Sequence, residues 1–220
     1  MNYRAPHIIT EGTVQYELGT LKGREVHYDF EKMLVYLEAK GKLLFGKKFK
    51  IYHEDREIIY TLCLYFIRDR ERCEQLGIDV DKGLLLSGPV GCGKTSLMKL
   101  LKHMVPHRRS YRVIPSRNIV FAFNHIGYKI INDYGESQCF CFDDLGVEPS
   151  GVHFGKECNV MGEILLSRYE LFVDCKIKTH ATTNLNAAEL EERYGTRVRS
   201  RMRELFNLVA FRKGCRDKRD

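Results

Sequence analysis

The sequence predicts an α/β fold, with a doubly wound parallel sheet that follows a small, mainly helical N-terminal region. A short apolar run at residues 83–87 leads into a glycine-rich loop and then into apolar positions at helical spacing. Beyond this unit, strand-like apolar runs alternate with amphipathic helical patterns as far as Phe211. Such alternation is typical of parallel sheets whose strands are joined by crossover helices.

The N-terminal third of the chain, residues 1–78, is expected to form an arm and a helical region available for docking a partner. Residues 1–25 carry few apolar repeats and predict an irregular arm or a short hairpin. Apolar positions from Phe30 to Leu37 predict a helix that stops near Gly41, followed by a basic linker at 40–50. A second helix is predicted to begin near Glu54, whose negative charge suits a helix N-terminus.

The remainder, residues 79–220, is predicted to be the core domain with a short basic tail. After the glycine loop and its helix, four further apolar runs predict strands, at 111–114, 138–142, 176–183 and 208–211. Helical spacing of apolar residues predicts helices over 119–130 and 161–172. Asn186 and Glu189 have the spacing of a capping box, which predicts a short helix that Gly195 ends before a further helix.

The composition predicts a folded protein, and its basic surplus favours an acidic partner. Hydrophobic residues make up 44% of the 220 residues, which is enough for a packed core and disfavours global disorder. The formal net charge is +7, and basic residues concentrate in 193–203 and at the end of the tail. A basic surplus of this kind favours nucleic acid as the partner, and single-stranded DNA is the form we expect.

Nothing in the sequence predicts a membrane or secretory protein. The first residues lead into no apolar stretch of the kind found in secretory leaders, and no run of about eighteen apolar residues is present. The eight cysteines include no Cys-x-x-Cys pair with zinc spacing, and we interpret them as small hydrophobes in a reducing compartment. We therefore expect a cytoplasmic protein without a membrane partner.

Residues 88–95, GPVGCGKT, match the phosphate-binding loop G-x-x-x-x-G-K-[ST]. Glycines let backbone N–H groups curl around phosphate oxygens, and the following helix adds its positive N-terminus. The motif assigns Lys94 to the β- and γ-phosphates and the Thr95 hydroxyl to Mg²⁺. The predicted cofactors are thus ATP and Mg²⁺, and the predicted nucleotide-binding residues are Gly88, Pro89, Val90, Gly91, Cys92, Gly93, Lys94, Thr95 and Ser96.

Polar side chains follow two of the later predicted strands. Asp143 and Asp144 end the apolar run CFCF, where a phosphate-loop enzyme needs an acid. We expect Asp143 to hold Mg²⁺ and Asp144 to orient or deprotonate the attacking water, the alternative being an acidic turn. Asn184 ends the run HATT, from which it can reach the γ-phosphate or the water if the two strands are neighbours. An ordinary turn asparagine is the alternative there.

Two arginines lie four residues apart near the end of the core. Arg197 and Arg201 share one face of a predicted helix whose other face carries Val198, Met202 and Leu205. One interpretation is a solvated basic face. The other is an arginine finger that crosses a subunit interface to stabilise charge on the transferring phosphoryl group. Composition leaves both interpretations open.

Four segments together resemble the DnaC/IstB branch of the AAA+ ATPases, which comprises bacterial helicase loaders and transposition helper ATPases. They are GLLLSGPVGCGKT, CFCFDDLGVEP, HATTN and RYGTRVRSRM, and the resemblance covers roughly residues 79–212. It implies a doubly wound P-loop core without a C-terminal lid domain, because only about ten residues follow Phe211. It also implies that Asn184 is the sensor-1 residue and that Arg201 is a trans-acting finger beside Arg197. The adenine pocket is then left to the segment around residues 49–60.

The resemblance implies a Mg²⁺-dependent ATPase that forms homo-oligomers through the trans arginine and acts on a replicative helicase, as a helicase loader. A transposition helper that acts with a transposase is the alternative. A small-molecule kinase would use the same loop, but we recognise no lid-like arginine cluster soon after the loop, and the arginine cluster at 193–203 lies near the C-terminus. A GTPase ranks last, because no Asn-Lys-x-Asp segment is present for guanine recognition.

Overall fold

The computed structural model describes residues 5–136, 138–212, 214–215 and 217–218. The chain divides into two compact units. The first extends to Val80 and also includes Ser96–Ser110, and the second combines Asp81–Thr95 with the chain from Tyr111 onwards. The predicted domain boundary after residue 78 stays a prediction, and the units divide close to it.

The first unit begins with two antiparallel hairpins, where the sequence predicted an irregular arm or one short hairpin. Strand β1 (Ile8–Glu11) pairs with β2 (Val14–Glu17), and β3 (Gly19–Lys22) pairs with β4 (Glu25–Tyr28). Each hairpin turns through a glycine with positive φ, at Gly12 and Gly23. Glycine suits these turns because a side chain disfavours that conformation.

The first helix is longer than its sequence predicts. Helix α1 (Phe30–Phe45) begins at Asp29, whose side chain accepts a hydrogen bond from the Lys32 amide at 3.1 Å, and ends at Gly46. The predicted stop near Gly41 was wrong, and the predicted linker begins correspondingly later. The Phe49 ring fills the space that a side chain at Gly41 would need. This packing offsets the cost of a glycine inside a helix, which is about 1 kcal/mol.

Helices complete the first unit. A short 3₁₀ helix at His53–Asp55 leads into α2 (Arg56–Ile67), as predicted, and α3 (Arg70–Gln75) follows. Within Ser96–Ser110 lie the end of α4 (Lys94–Leu101) and a 3₁₀ turn at Lys102–Met104. The buried Tyr36 hydroxyl lies 3.1 Å from both Glu11 Oε1 and the His103 carbonyl oxygen. Burial raises the pKa of Tyr36, so this hydroxyl keeps its proton.

The second unit is built on a five-stranded parallel sheet in the order β11-β5-β10-β7-β6. Its strands are β5 (Gly83–Ser87), β6 (Arg112–Pro115), β7 (Phe140–Asp143), β10 (Thr179–Thr183) and β11 (Phe206–Ala210). The remaining helices are α5 (Ser116–Ile126), α6 (Lys129–Gly135), α7 (Val160–Cys175) and α8 (Ala187–Leu205). The predicted fold class is confirmed, with strand bounds shifted by a few residues.

Glycines decide where the helices of this unit break. One helix was predicted over residues 119–130, but Gly127, with φ 78°, separates α5 from α6. The Asn186 capping box is present at the start of α8, and Gly195 interrupts that helix with φ 81° and ψ 160°, as predicted. An antiparallel hairpin, β8 (Gly151–His153) with β9 (Lys156–Cys158), was not predicted.

The described part of the chain contains no candidate membrane span. None of its helices combines the length and apolar character needed to cross a membrane. Four of the eight cysteines, Cys63, Cys73, Cys92 and Cys141, are buried, as expected for small hydrophobes, whereas Cys139, Cys158 and Cys215 are partly exposed and Cys175 is exposed. Burial raises the pKa of the Cys63 and Cys92 thiols, which keeps them protonated and poorly nucleophilic.

His180 is a buried titratable group in the central strand β10. Its Nδ1 accepts a hydrogen bond from the Leu84 amide at 3.1 Å, which links β10 to the phosphate-loop strand. Burial, with smaller contributions from Lys178 and Arg168, lowers the pKa of His180 from 6.5 to about 3. The folded protein therefore holds a neutral imidazole at this position across the physiological pH range.

The free energy of unfolding should consequently fall as the pH drops from 6.5 toward 3. In that window the unfolded chain binds a proton that the folded chain excludes, which costs up to about 1.4 kcal/mol per pH unit. Urea unfolding at a series of pH values measures this slope. His180→Asn offers an amide oxygen to the Leu84 amide and does not titrate, so its slope should be shallower. A wild-type slope in that variant would show that His180 is not the group responsible.

Candidate phosphate-binding site

Three predicted functional segments meet at one edge of the sheet. Strand β10 lies between β5 and β7, and all three are parallel. Their carboxyl ends therefore share an edge, which is where ligands bind in open α/β sheets. The phosphate loop follows β5, Asp143 ends β7, and Asn184 follows β10. The condition set for Asn184, that its strand neighbours the Asp143 strand, is met.

The loop at residues 88–93 joins β5 to α4, and its three glycines each have a structural reason. Gly91 and Gly93 have φ values of 81° and 96°, a region that favours glycine. A side chain at Gly88 would lie 2.6 Å from the Phe211 Cβ atom. The backbone amide of Gly88 donates to the Thr183 carbonyl at 3.3 Å, which ties the loop to the end of β10.

Lys94, the first residue of α4, lies against the loop that its motif assigns to phosphate. Only 5% of its surface is exposed. Its ammonium group donates to the Gly88 and Pro89 carbonyl oxygens, both at 2.8 Å. Among the other loop residues, Val90 is exposed and Cys92 is buried. A positive charge therefore stands beside the backbone amides at the helix N-terminus, where both attract anions.

The two predicted Mg²⁺ ligands are in direct contact. The Thr95 hydroxyl donates to Asp143 Oδ1 at 2.7 Å. The Thr182 hydroxyl donates to the same oxygen at 2.7 Å and accepts from the Asp144 amide at 3.0 Å. Thr182 thus fixes the position of both acids. The sequence assigned no role to this residue, although it lies in the segment HATTN.

This pair of oxygen ligands fits Mg²⁺. Magnesium favours oxygen ligands and is commonly held by one or two protein groups together with phosphate oxygens and water. In the described ranges, no cluster of three or more His, Cys, Asp or Glu residues could hold a metal ion by itself. With Thr95 and Asp143 as its protein ligands, the site would leave the remaining Mg²⁺ positions to water and to phosphate oxygens.

Asp144 differs from Asp143 in exposure and in backbone conformation. Asp143 is 7% exposed, whereas Asp144 is exposed to solvent. Asp144 has φ 53°, a left-handed conformation that carries strain in a residue with a side chain. Asn184 is exposed at the same sheet edge. These two exposed polar residues are accessible to a water molecule and a phosphate, as their predicted roles require.

The loop after Asp144 is held by residues to which the sequence assigned no role. Glu148 is buried, and its carboxylate accepts from the Gly146 amide at 2.7 Å and from the Tyr194 hydroxyl at 2.5 Å. Arg193 donates to the Glu148 carbonyl at 2.6 Å. Burial and the nearby Glu148 raise the pKa of Tyr194, so its hydroxyl remains a donor. Arg193 and Tyr194, the first two residues of the segment RYGTRVRSRM, therefore hold the loop after Asp144 in place through Glu148.

Arg197 and Arg201 lie on the outward face of α8, as predicted. Val198, Met202 and Leu205 are buried, whereas Arg197 is exposed. The Arg201 guanidinium stacks on the Tyr169 ring at 4.3 Å, and its Nη1 lies 3.2 Å from both the Tyr169 hydroxyl and Glu204 Oε1. Arg201 is thus oriented by groups on the surface of the same chain.

The segment expected to form the adenine pocket, around residues 49–60, belongs to the first unit. Its role stays a prediction. The structure instead shows contacts to the phosphate loop from beyond β11, which the sequence did not predict. Phe211 lies against Gly88, and the Lys218 amide donates to the Gly91 carbonyl at 3.1 Å.

The fold of the chain is that of the AAA+ ATPases. A crystal structure of the DnaC helicase loader superposes with a TM-score of 0.53 and 19% identity, over 76% of this chain and 94% of that one. AMPPCP-bound DnaA from Aquifex aeolicus superposes with a TM-score of 0.50 and 20% identity, over 75% of this chain and 49% of that one. The AAA+ fold implied by the sequence resemblance is confirmed.

A sequence relative agrees with this fold. The proteasome-activating nucleotidase of Methanococcus vannielii is 31% identical over 121 residues, which are 53% of this chain. The matched segment spans 29% of the nucleotidase, so the chain covers less than a third of that relative. No family model matches the chain.

Proposed function

From this AAA+ fold we propose that the chain binds and hydrolyses ATP, assembles into oligomers and acts on a DNA-linked partner as a replicative helicase loader. The observation that carries the ATPase assignment is the contact of Thr95 with Asp143 at 2.7 Å, beside the phosphate loop and at the same sheet edge as Asn184. The resemblance of four segments to helicase loaders supports the choice of partner. A transposition helper, which shares those segments, is the alternative.

The chain's own groups divide the work of hydrolysis. Backbone amides of the loop and the N-terminus of α4 bind the phosphates, and Lys94 donates hydrogen bonds to the β- and γ-phosphates. Thr95 and Asp143 would hold Mg²⁺, which neutralises phosphate charge when bound. Asp144 orients the attacking water and takes its proton, and Asn184 positions the water against the γ-phosphate.

Asp144→Asn should keep ATP bound and lose turnover, because the amide preserves shape and cannot act as a base. We expect kcat to fall about 10²–10⁴-fold. Asp143→Asn should in addition raise the Mg²⁺ concentration needed for activity, since Asp143 contacts Thr95. Steady-state ATPase rates and binding of a fluorescent ATP analogue measure both effects. Asp174→Asn, an exposed carboxylate on α7, is the control. Normal turnover by Asp144→Asn would show that Asp144 is not the base.

We further propose a DNA-contact surface formed by α5, the start of α6 and the β8–β9 hairpin. The hairpin is fixed to α5, because the Val152 amide donates to Asn124 Oδ1 at 2.7 Å. Phe154 lies at the hairpin tip and is 94% exposed. On α5, the Arg117 guanidinium lies 6.0 Å from the centre of the Phe121 ring.

This surface combines aromatic rings with positive charge. Its exposed aromatic residues are Phe121, Tyr128 and Phe154. Its exposed basic residues are Arg117, Lys129 and Lys156, of which Lys129 also forms an ion pair with Asp133 at 2.9 Å. Single-stranded nucleic acid binds such surfaces because bases stack on rings while cations contact the phosphates. The Phe154 ring contacts the neighbouring His153 ring edge-on, with the two centroids 4.4 Å apart, and leaves most of its surface open to a stacking base.

Single-stranded DNA should bind weakly and with strong salt dependence, because binding releases counterions from the phosphates. Phe154→Ala should weaken binding about 5- to 100-fold, the range expected for one stacked base. Fluorescence anisotropy of a labelled oligo-dT, with ATP present, at low and moderate salt measures both. Val173→Ala removes an exposed apolar side chain from α7, outside the proposed surface, and serves as the control. Absence of binding at low salt would remove DNA from the partners.

ATPase rates also separate the candidate functions. A loader or a transposition helper should respond to single-stranded DNA or to its own concentration, whereas a small-molecule kinase would need an acceptor. Affinity capture from the native cell then distinguishes the first two. Recovery of a replicative helicase supports the loader, and recovery of a transposase supports the alternative.

A further inference from the structure

The segment that follows β11 returns to the phosphate loop. The Phe211 amide donates to the Ser87 carbonyl at 2.7 Å, which extends the pairing of β11 with β5. The Phe211 side chain then packs against Gly88, the first residue of the loop. Phe211 therefore lies beside the start of the phosphate loop.

Lys218 is bound to the loop through two carbonyl groups. Its backbone amide donates to the Gly91 carbonyl at 3.1 Å, and its ammonium group donates to the Cys92 carbonyl at 2.7 Å. The ammonium also lies 5.5 Å from the centre of the Phe211 ring. Both contacts are to carbonyl oxygens of the phosphate loop, so they attach this segment to the loop backbone.

Asp217 places a negative charge at the same position. Its carboxyl group fills the space that a side chain at Gly91 would need. A triphosphate would bring several negative charges to this loop, and two anions a few ångströms apart repel each other. A nucleotide and Asp217 in this position therefore destabilise one another.

We propose that this tail contact, formed by Phe211, Asp217 and Lys218, is an autoinhibitory strap that competes with nucleotide for the phosphate loop. The inference rests on the proposed function, in which residues 88–95 bind ATP. Lys218 attaches the strap, Asp217 opposes the phosphates, and nucleotide binding releases both. The basal affinity for nucleotide is thus lower than the loop alone would give.

Nucleotide affinity in full-length variants tests the strap. Asp217→Asn should bind a fluorescent ADP or ATP analogue about fivefold more tightly than wild type at low salt, the size expected for one nearby charge in water. That gain should shrink as salt increases. Lys218→Ala should also bind more tightly, because it detaches the strap. Asp174→Asn, which removes a carboxylate from the end of α7, should bind as wild type does.

Hydrogen exchange gives a second readout. The Lys218 amide, which donates to Gly91, should exchange faster when nucleotide saturates the wild-type protein. Unchanged affinity in Asp217→Asn, weaker binding by Lys218→Ala or unchanged exchange at saturation would each overturn the strap while leaving the ATPase assignment intact. Absence of nucleotide binding by wild type and every variant would overturn both.

Discussion

Lys94→Ala should abolish ATP hydrolysis and weaken nucleotide binding about 10- to 100-fold. A charge-assisted hydrogen bond to phosphate contributes roughly 1.5–3 kcal/mol, and the γ-phosphate loses its main side-chain cation in this variant. Lys94 is the one lysine within residues 88–95, so no other residue of the motif supplies its charge. ATPase rates and titration with a fluorescent ATP analogue measure the two effects separately.

Lys99→Ala is the matched control for this variant. Lys99 is exposed on the same helix, so the Lys99→Ala variant removes an equal charge at a position outside the loop. Because Lys94 also donates to the Gly88 and Pro89 carbonyls, thermal unfolding of both variants should accompany the kinetics. A folded Lys94→Ala protein that hydrolyses ATP at the wild-type rate would contradict the phosphate-loop assignment.

Local patterns account for the parts of the fold that the sequence predicted. The strand before Gly88, the capping box at Asn186 and the break at Gly195 each depend on residues within one turn or one strand. The prediction that the first helix stops near Gly41 was wrong because the end of that helix depends on a contact between residues that are not in the same turn of helix. The residue that fills the space beside Gly41 is Phe49, and only the folded chain brings its ring there. A glycine inside a helix is therefore ambiguous until its neighbours in space are known.

The candidate site likewise contains residues that the sequence predicted and residues that only the folded structure identifies. Motif spacing indicated Lys94, Thr95 and Asp143, because phosphate chemistry needs those residue types after particular strands. The groups that hold them come from distant parts of the chain. The Thr182 hydroxyl donates a hydrogen bond to Asp143, 39 residues away in sequence, and Lys218 donates to Cys92, 126 residues away. No periodicity in one sequence connects such pairs, so only the sheet order and the path beyond β11 place them together.

Arg201→Ala should bind ATP normally and hydrolyse it slowly if the residue acts across a subunit interface. Arginine fingers contribute about 10³–10⁵ in rate in other phosphoryl-transfer systems. The stacking of Arg201 on Tyr169 and its contact with Glu204 hold the guanidinium at the surface of the chain. Arg203→Ala, an exposed arginine on the same helix, is the control and should keep its activity.

Mixing two inactive variants distinguishes a finger from a solvated arginine. Asp144→Asn retains Arg201 but lacks the base, and Arg201→Ala retains the base but lacks the finger. In a head-to-tail assembly mixed at equal amounts, about one interface in four pairs an intact base with an intact finger. ATPase activity should therefore return in the mixture, which a cis-acting or merely solvated arginine cannot produce. Lack of rescue, in mixtures that sizing shows to co-assemble, would favour hydrolysis within a single subunit.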